Sequence, residues 1–506
     1  MRIFITYILL VIFNGQLDAQ LDPRKGYDLF KTLNYIDALP ELKKHVKVDP
    51  KDHKALYHIG LCYLNTGDDK GASVKYLEKA IETGKANKEA RYYLAQGYMH
   101  NYDFVKAESI INKYIKSSGK FEEEAKALLA NIPLAKKLYD NPIAVEFTNL
   151  GDKINGPYPD YAPFVSEDEE ILVFTSRREE GKGHKEFDGY YPSDIFSCKF
   201  NGFAFSPAKA TGVNTNFDET CVGIKTDGSG IFIYIDNINE VGEIYEADRT
   251  GSTYNKKRKI KEGINDLKTM ETSGSISPDG NFLFFASNRE GDKGGLDLYM
   301  TAKLPNGSWA QPQPLSQLNT IGHEDFPSLS ADGKTLYFCS NGRGGMGGYD
   351  LFKVDFNIAD RTFGEVKNLG FPINTSYHDK VICFAKNAKH AYVSQYRKDE
   401  GLGDLDIYRV DFKEVNLNPA LYIVSLKDAI KTENVEDATI YVYNESDENI
   451  GEFKSIGVNN IIMTLKPGKY SLEIEATGYT SKVIELKVSE FDYKEGMIKL
   501  SYSLAK

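Results

Sequence analysis

The sequence contains 506 residues, of which 41% are hydrophobic and 27% are charged. A single hydrophobic core stops growing at roughly 250 to 300 residues, so this length predicts several domains. Asp and Glu (73) outnumber Lys and Arg (62), giving a net charge of −11. This balance argues against a nucleic-acid-binding protein, because phosphate recognition needs a basic surface. Beyond the N-terminal segment no apolar run approaches the ~20 residues that cross a bilayer, which excludes a multispan membrane protein.

The N-terminal segment has the pattern of a secretory signal peptide. A basic Met1-Arg2 start precedes the apolar run from Ile3 to Phe13, and a small residue, Ala19, lies at a suitable cleavage position. The apolar run is too short for a membrane anchor, because a helix of its length covers about half of the hydrocarbon core. We therefore interpret residues 1–19 as a signal peptide and expect the protein to be exported. No cysteine lies near the cleavage position, so a lipid anchor is not expected.

The cysteines are isolated from one another, and each lies within an apolar stretch. They are Cys62, Cys198, Cys221, Cys339 and Cys383. None forms a C-x-x-C pair, and their odd number does not suit a disulfide framework. We expect them to be small buried hydrophobic residues rather than disulfides or metal ligands.

Residues 20–140 have a helical pattern in which small and aromatic residues recur at an interval of 35. The matched pairs are Gly60 with Ala95, Tyr63 with Tyr98, and Ala72 with Ala107. This spacing resembles that of tetratricopeptide repeats, with an ordinary helical bundle as the alternative. The resemblance implies a concave surface that binds peptides or partner domains, and a module that contacts mainly its own repeats. With 21 basic and 17 acidic residues, this segment is cationic, which favours an acidic partner.

Residues 141–415 contain a β-strand pattern repeated five times. In the clearest unit, the turn Ser277–Gly280 precedes the aromatic run Phe282–Arg289, a Gly-rich loop and the strand that opens at Asp297. The acids that open the third strand of each unit are Asp194, Glu243, Asp297, Asp350 and Asp406. An Asp-Gly hairpin followed by a strand buried on both faces is typical of a propeller blade. The pattern therefore predicts a five-bladed β-propeller.

The fifth unit lacks its closing strand, whereas a matching strand, residues 145–150, precedes the first unit. We expect this strand to complete the fifth blade and close the ring. A sixth blade in the irregular stretch from Gly181 to Pro192 is the alternative. The units resemble the WD40-like repeats of TolB-type periplasmic propellers.

The acids of the third strand and the arginines that follow the second strand are candidate site residues. They are Arg177, Asp194, Arg289, Asp297, Asp350, Arg397 and Asp406. These residues would either surround a ligand channel or form pairs within each blade that hold the Gly-rich loop. Recurrence in nearly every blade favours the structural interpretation.

Residues 416–506 show alternating strands separated by Pro467-Gly468 and Gly478 turns, which predicts a small β-sandwich. The order of the Leu465–Tyr470 and Ala476–Tyr479 segments resembles the carboxypeptidase regulatory-like, transthyretin-related domain. This resemblance implies a non-catalytic docking unit. The predicted fold is therefore α followed by β, with a tetratricopeptide-like array, a five-bladed propeller and a transthyretin-like sandwich.

The sequence carries no Gly-x-Ser-x-Gly, no His-Glu-x-x-His and no histidines at metal-ligand spacing, so neither an enzyme nor a cofactor is expected. The series of modules resembles OmpA-family, PorE-like envelope proteins of Bacteroidetes associated with type IX secretion. Such proteins continue into a peptidoglycan-binding OmpA-type domain, whereas this sequence stops at Lys506. The resemblance implies a scaffold in the periplasm or at the periplasmic face of the outer membrane, with β-barrel or secretion-system proteins as partners. The alternative is a receptor that binds a glycan, peptidoglycan or peptide at the propeller mouth.

Overall fold

The computed structural model describes most of the chain in two compact units, one ending at Lys413 and one beginning at Glu414. The described residues are 23–67, 69–237, 240–260, 263–266, 268–290, 292–386, 390–413, 419–456, 460–488 and 496–506. The predicted signal peptide, residues 1–19, lies outside them. None of the helices in the described residues is long and apolar enough to cross a membrane.

The first unit begins with α-helices that pack against one another in sequence order. Within the described residues they are α1 (Pro23–Lys31), α2 (Tyr35–Val48), α3 (His53–Asn65), α4 (Ser73–Glu82), α5 (Ala90–His100), α6 (Phe104–Ile115) and α7 (Glu122–Asp140). Polar side chains cap the starts of several helices: the carboxylate of Asp52, for example, accepts hydrogen bonds from the backbone of Lys54 and Ala55 at the start of α3.

Small residues allow the helices to approach closely. A Cβ atom on Gly60 of α3 would lie 2.5 Å from Cγ of Leu77 on α4. Beside this contact, Tyr63 stacks on Tyr76 with 5.8 Å between ring centroids. In the next helix pair, the matching residues Ala95, Tyr98 and Ala107 are buried on α5 and α6. Ala72 lies in a short 3-10 turn before α4 and is only half-buried.

The helices are followed by five antiparallel sheets, each with four or more strands, which we call blades 1 to 5. Blade 1 contains β2 (Asp160–Val165), β3 (Ile171–Ser176), β4 (Asp194–Lys199) and β5 (Lys209–Ala210); blade 2 contains β6 (Glu219–Ile224), β7 (Gly230–Asn237), β8 (Glu240–Thr250) and β9 (Thr253–Lys259). Blade 3 contains β10 (Glu271–Ile276), β11 (Phe282–Ser287), β12 (Asp297–Ala302) and β13 (Gln313–Pro314); blade 4 contains β14 (Glu324–Leu329), β15 (Thr335–Ser340), β16 (Asp350–Asn357), β17 (Thr362–Phe363) and β18 (Lys367–Asn368). Blade 5 contains β19 (Ile382–Phe384), β20 (His390–Gln395), β21 (Asp406–Phe412) and β1 (Val145–Asn149).

These sheets confirm the five-bladed propeller. The stretch from Gly181 to Pro192 is the connection between β3 and β4 of blade 1 and not a sixth blade. The ring closes as expected, because β1 pairs antiparallel with β21 from Val145 opposite Phe412 to Asn149 opposite Tyr408. The second strands carry aromatic residues buried between neighbouring blades, such as Phe174, Phe284 and Phe338, all 0% exposed.

The second unit holds seven strands within the described residues. They are β22 (Ala420–Asp428), β23 (Ala438–Tyr443), β24 (Asn449–Ile456), β25 (Asn460–Leu465), β26 (Gly468–Ala476), β27 (Lys482–Val488) and β28 (Met497–Leu504). Their order is β27-β26-β23-β24-β25-β22-β28. The strands form one continuous sheet, which differs from the two separate sheets of a simple sandwich because β24 pairs with both β23 and β25. Alternating residues such as Ile440, Val442 and Leu472 fill its core.

The cysteines are confirmed as buried free thiols. Burial raises the pKa of the Cys383 thiol to about 11 and that of Cys339 well above its ordinary value. Because the thiolate is the reactive form, these side chains are chemically inert in the folded protein.

Candidate functional site between the helices and the propeller

The third-strand aspartates bind the loop that precedes each of them. Asp297 accepts hydrogen bonds from the backbone of Lys293 and Gly294, both at 3.1 Å. Asp350 accepts from Met346 and Gly347 at 2.8 and 3.0 Å. Asp406 accepts from the Leu402 backbone at 2.6 Å. Each of these carboxylates holds its own Gly-rich loop.

Asp194 makes the equivalent contact with the backbone of Lys182 in blade 1. Burial is the main cause that raises the pKa of Asp194, to about 6, whereas the bond from Lys182 acts to lower it. The third-strand aspartates are at most 2% exposed, so they do not line an open channel.

The three arginines are not paired with these aspartates, which departs from the expected Arg–Asp pairs. Arg177 donates to Asp188 at 2.6 Å and to Glu186 at 2.7 Å, both in the connection that follows it. Arg397 donates to Glu400 at 2.8 Å. Arg177 and Arg397 therefore brace these loops in addition to the aspartates.

Arg289 braces the start of its own blade instead. Its guanidinium donates to the backbone carbonyl of Gly263 at 2.9 Å and to the carboxylate of Glu271 at 3.2 Å. Glu271 is fully buried, so this contact supplies the carboxylate with a charged donor.

Sequence reasoning did not predict a second polar pattern that recurs around the ring: an asparagine and, five or six residues later, an acid that opens the first strand or, in blade 5, lies shortly before it. The pairs are Asn155 with Asp160, Asn214 with Glu219, Asn265 with Glu271, Asn319 with Glu324, and Asn374 with Asp379. Each asparagine accepts from the backbone N–H of a third-strand residue and donates to the carbonyl of the same residue. Each of these asparagines comes directly after an Ile, Leu or Val, and this recurring dipeptide was a signal available in the sequence.

The acids of this pattern are held as firmly as the asparagines. The carboxylate of Glu324 accepts from the backbone and the hydroxyl of Thr320 at 2.7 and 2.8 Å, and from the hydroxyl of Ser340 at 2.5 Å. Asp379 has the same relation to Thr375. Because the arrangement repeats around the ring, it stabilises the junctions between blades.

The centre of the ring is nearly filled. The cavity between the first strands has a volume of about 40 Å³, which is room for a few waters, since about 10–15 Å³ of such a cavity holds one. Apolar side chains from all five blades line it, among them Phe164, Ile224, Ile276, Leu329 and Phe384. A ligand of the size of a sugar does not fit inside this channel.

Side-chain contacts join the helices to one end of the propeller. The side-chain amide of Asn131 on α7 donates to the carbonyl of Gly345 at 2.9 Å and accepts from its N–H at 3.0 Å. The next residue, Met346, is 2% exposed and packs within the hydrophobic core of the helices. The Gly-rich loop of blade 4 is thus anchored in the helical array.

Further contacts extend this joint towards blade 5 and blade 1. Phe371 contacts the rings of Tyr102 and Tyr139, at centroid distances of 5.5 and 4.8 Å. The hydroxyl of Tyr377 accepts from the Lys70 backbone at 3.1 Å. Salt bridges connect Lys185 to Asp37 and Lys398 to Asp69. The helices and the propeller accordingly belong to the same compact unit.

A cavity of about 510 Å³, which we call the groove, remains between the helices and the propeller loops. Helices α3, α5 and α7 form one wall, and residues 346–348 and 376–378 form the other. Three aromatic side chains line the helical wall: Tyr92 lies 5.3 Å from Tyr93 and 4.9 Å from Phe121 between ring centroids. The amide of Gln96 donates to the Tyr92 hydroxyl at 3.1 Å.

The basic side chains that line the groove are either uncharged or already hydrogen-bonded within the protein. Burial lowers the pKa of His100 to about 3 and that of His378 to about 4, so both rings are uncharged at neutral pH. The ammonium of Lys70 donates to the carbonyl of Leu64 at 2.7 Å, and burial lowers its pKa. Glu124, by contrast, lines the groove with an exposed side chain.

A second, larger recess lies among the hairpin turns of blades 3 and 4. Its volume is about 920 Å³, and its lining includes Asp279, Asp332, Asp355 and Phe356. In the part of the chain that the structure describes, no three His, Cys, Asp or Glu side chains are grouped so as to hold a metal ion. The groove is the recess in which two modules contribute aromatic and polar groups, and we take it as the candidate site.

No family model matches the sequence, and no curated protein matches it either. Among solved structures, putative TolB from Agrobacterium tumefaciens is 15% identical over 68% of this chain and 89% of that chain, with a TM-score of 0.33. TolB from Acinetobacter baumannii is 14% identical over 64% of this chain and 65% of that chain, with a TM-score of 0.30. An alpha-L-arabinofuranosidase from Podospora anserina is 11% identical over 54% of this chain and 99% of that chain, with a TM-score of 0.33. These similarities are too distant to indicate an activity.

Proposed function

We propose that this protein is a non-enzymatic scaffold that binds an extended segment of a partner protein in the groove. The observation that carries the proposal is the groove itself, a recess of about 510 Å³ lined by aromatic residues of the helices and by backbone of the propeller loops. Aromatic side chains with polar tips provide large contact areas and hydrogen bonds, the combination that protein interfaces favour. The joint between the modules keeps the two walls in place, which reduces the cost of ordering on binding.

The buried carboxylates support a structural rather than a catalytic role. The third-strand aspartates and the first-strand acids are hydrogen-bonded to backbone or hydroxyl groups of the propeller, and the third-strand Glu243 pairs with Lys259. A group with such partners is positioned to stabilise the fold, whereas a catalytic acid or base must reach a substrate. We therefore propose that the protein is not an enzyme and needs no cofactor.

The wider setting is proposed from the sequence. The signal-like segment 1–19 supports export, and the order of modules resembles that of OmpA-family, PorE-like envelope proteins of Bacteroidetes. On this basis the helices are tetratricopeptide repeats (residues 20–140), residues 141–415 a WD40-like propeller, and residues 416–506 a carboxypeptidase regulatory-like, transthyretin-like domain. The scaffold would act in the periplasm or at the outer membrane, with β-barrel or secretion-system proteins of the type IX kind as partners.

The alternative function, a receptor for a glycan, peptidoglycan or peptide at the propeller mouth, has less support. A small-molecule site usually has a volume of about 300–1,000 Å³. Here the cavity between the first strands measures about 40 Å³, and both apolar and polar side chains line it. This observation disfavours a small ligand held inside the ring.

A pair of matched variants tests the proposal. Gln96→Trp places a large side chain in the groove, whereas Val105→Trp places the same side chain on α6 at a position that is 73% exposed. Each full-length protein is used to capture partners from envelope fractions, and circular dichroism verifies its fold. We expect Gln96→Trp to lose the partners that wild type and Val105→Trp retain. Equal capture by all three proteins would show that the groove is not the contact.

A further inference from the structure

The helical wall of the groove belongs to a longer row of aromatic rings, which we call the aromatic ladder. Phe30 stacks on His58 at 4.1 Å between centroids, and Tyr57 contacts Tyr93 at 6.1 Å. Tyr92 continues the row from Tyr93 to Phe121. The ladder runs from α1 to the start of α7, and its rings are half-buried, so each keeps part of its surface accessible.

Two carboxylates lie beside the ladder. The negative charge of Glu89 contributes to the raised pKa of both Tyr57 and Tyr93, and that of Glu124 contributes to the raised pKa of Tyr92, although burial is the larger cause in each case. Glu124 also lines the groove together with Tyr92 and Tyr93, so its charge acts on a cation placed there.

Glu124 is available for a new partner. Its neighbour on α7, Lys126, forms salt bridges at 2.8 Å with Glu122 and Glu123. Among the described residues, no salt bridge involves Glu124. Glu89 accepts one hydrogen bond, from the backbone of Lys120 at 3.4 Å.

One ring of the ladder already contacts a cation of the chain itself. The ammonium of Lys120 lies 5.2 Å from the centroid of Phe121, at the outer end of the ladder. Positive charges are drawn to aromatic faces, and the attraction increases when the cation is desolvated. Tyrosine rings that line the same groove as an exposed carboxylate form a site that suits an ammonium or a guanidinium.

We propose that the groove selects an extended partner segment that carries a Lys or Arg side chain, which lies on the faces of Tyr92 and Tyr93 and pairs with Glu124. This inference rests on the proposed function and names the chemistry of the partner. It differs from the acidic partner expected from the net charge of residues 20–140, because the lysines of that segment are not the groups that line the groove. Lys70, the lysine in the groove wall, is bound to the Leu64 carbonyl.

Three dye-labelled peptides that differ in one residue type test the selection. Their repeats are Gly-Ser-Pro-Lys, Gly-Ser-Pro-Gln and Gly-Ser-Pro-Glu, and fluorescence anisotropy measures their binding to the full-length protein. We expect the Lys peptide to bind at least about tenfold more tightly than the Gln peptide at about 0.1 M salt, and the difference to shrink in about 1 M salt. The Glu peptide should bind most weakly.

Charge-removal variants separate the groove from the general negative charge of the protein. Glu124→Gln should weaken the Lys peptide about three- to fivefold, whereas Glu108→Gln, which removes an exposed carboxylate from α6, should leave it unchanged. Equal binding of the Lys and Gln peptides, or absence of binding by the Lys peptide, would overturn the inference. If both peptides bind equally and Gln96→Trp abolishes both, the groove is a binding site without cation selection, so the proposed function stands while the inference fails. An equal effect of Glu124→Gln and Glu108→Gln would assign the preference to net charge and also overturn it.

Discussion

Replacement of Met346 by alanine measures how strongly the helices and the propeller depend on each other. The side chain belongs to a propeller loop but is 2% exposed within the core of the helices. Loss of its three terminal heavy atoms costs about 2 kcal/mol in transfer free energy, and the cavity left behind adds about 1 kcal/mol. We therefore expect the free energy of unfolding of the first unit to fall by about 3 kcal/mol.

Two optical probes report on the two modules during urea unfolding. The single tryptophan, Trp309, lies next to β12 in blade 3 and reports on the propeller. Circular dichroism at 222 nm reports on the helices. With an m-value of about 3 kcal/mol/M, both midpoints should move down together by about 1 M urea.

The matched control is Ile321→Ala, which removes a side chain that is 90% exposed on a propeller connection. Its free energy of unfolding should stay within about 0.5 kcal/mol of wild type. A shift of the helical signal alone in Met346→Ala would refute the coupling between the modules. Absence of any shift beyond the control would refute the burial of Met346 against the helices.

Three further predictions concern the first unit. Asn149 and Asn368 each donate a hydrogen bond to a third-strand aspartate, and each accepts one from a glycine N–H and one from a neighbouring asparagine. Asn149→Ala and Asn368→Ala should therefore each lower the free energy of unfolding by about 1–3 kcal/mol. Only Asn149→Ala, at the closure of the ring, should also aggregate faster, as measured by light scattering. Burial raises the pKa of Asp379 to about 7. Its contribution to stability is therefore complete below about pH 4 and is lost as the pH rises through 7. Asp379→Asn should flatten this pH dependence in urea midpoints measured from pH 5 to 8. The thiols should react with a disulfide reagent only after unfolding, and rapid labelling of the native protein would contradict their burial.

The propeller could be predicted from the sequence because its signals are local and repeated. The Ser277–Gly280 turn, the aromatic run that follows and the acid at Asp297 recur with similar spacing, so each copy supports the others. The closing strand could also be predicted, since residues 145–150 repeat the pattern of residues 366–370. Periodicity fixes which residues form strands and which face of a strand is buried.

The groove could not be predicted, because it depends on contacts between distant parts of the chain. Asn131 and Gly345 are separated by 214 residues, and neither carries a pattern that indicates the other. The sequence indicated a concave helical surface but not that Met346 and Tyr377 would cover part of it. The net charge of residues 20–140 does not describe the groove itself, since the lysines of the helices lie mostly outside it whereas Glu124 lines it.

The pairing of β1 with β21 has a consequence for the order in which the protein folds. The contact between Asn149 and Asp406 joins residues 257 positions apart, whereas the hairpins within each blade join near neighbours in the sequence. Loop closure over such a distance is slow, because the chain loses conformational entropy before the stabilising contact forms. We therefore expect the helices and the first four blades to form before β1 completes blade 5. Until that strand docks, the edge of β21 is open to pairing with another chain, so ring closure is the step at which a folding chaperone would have the greatest effect on yield.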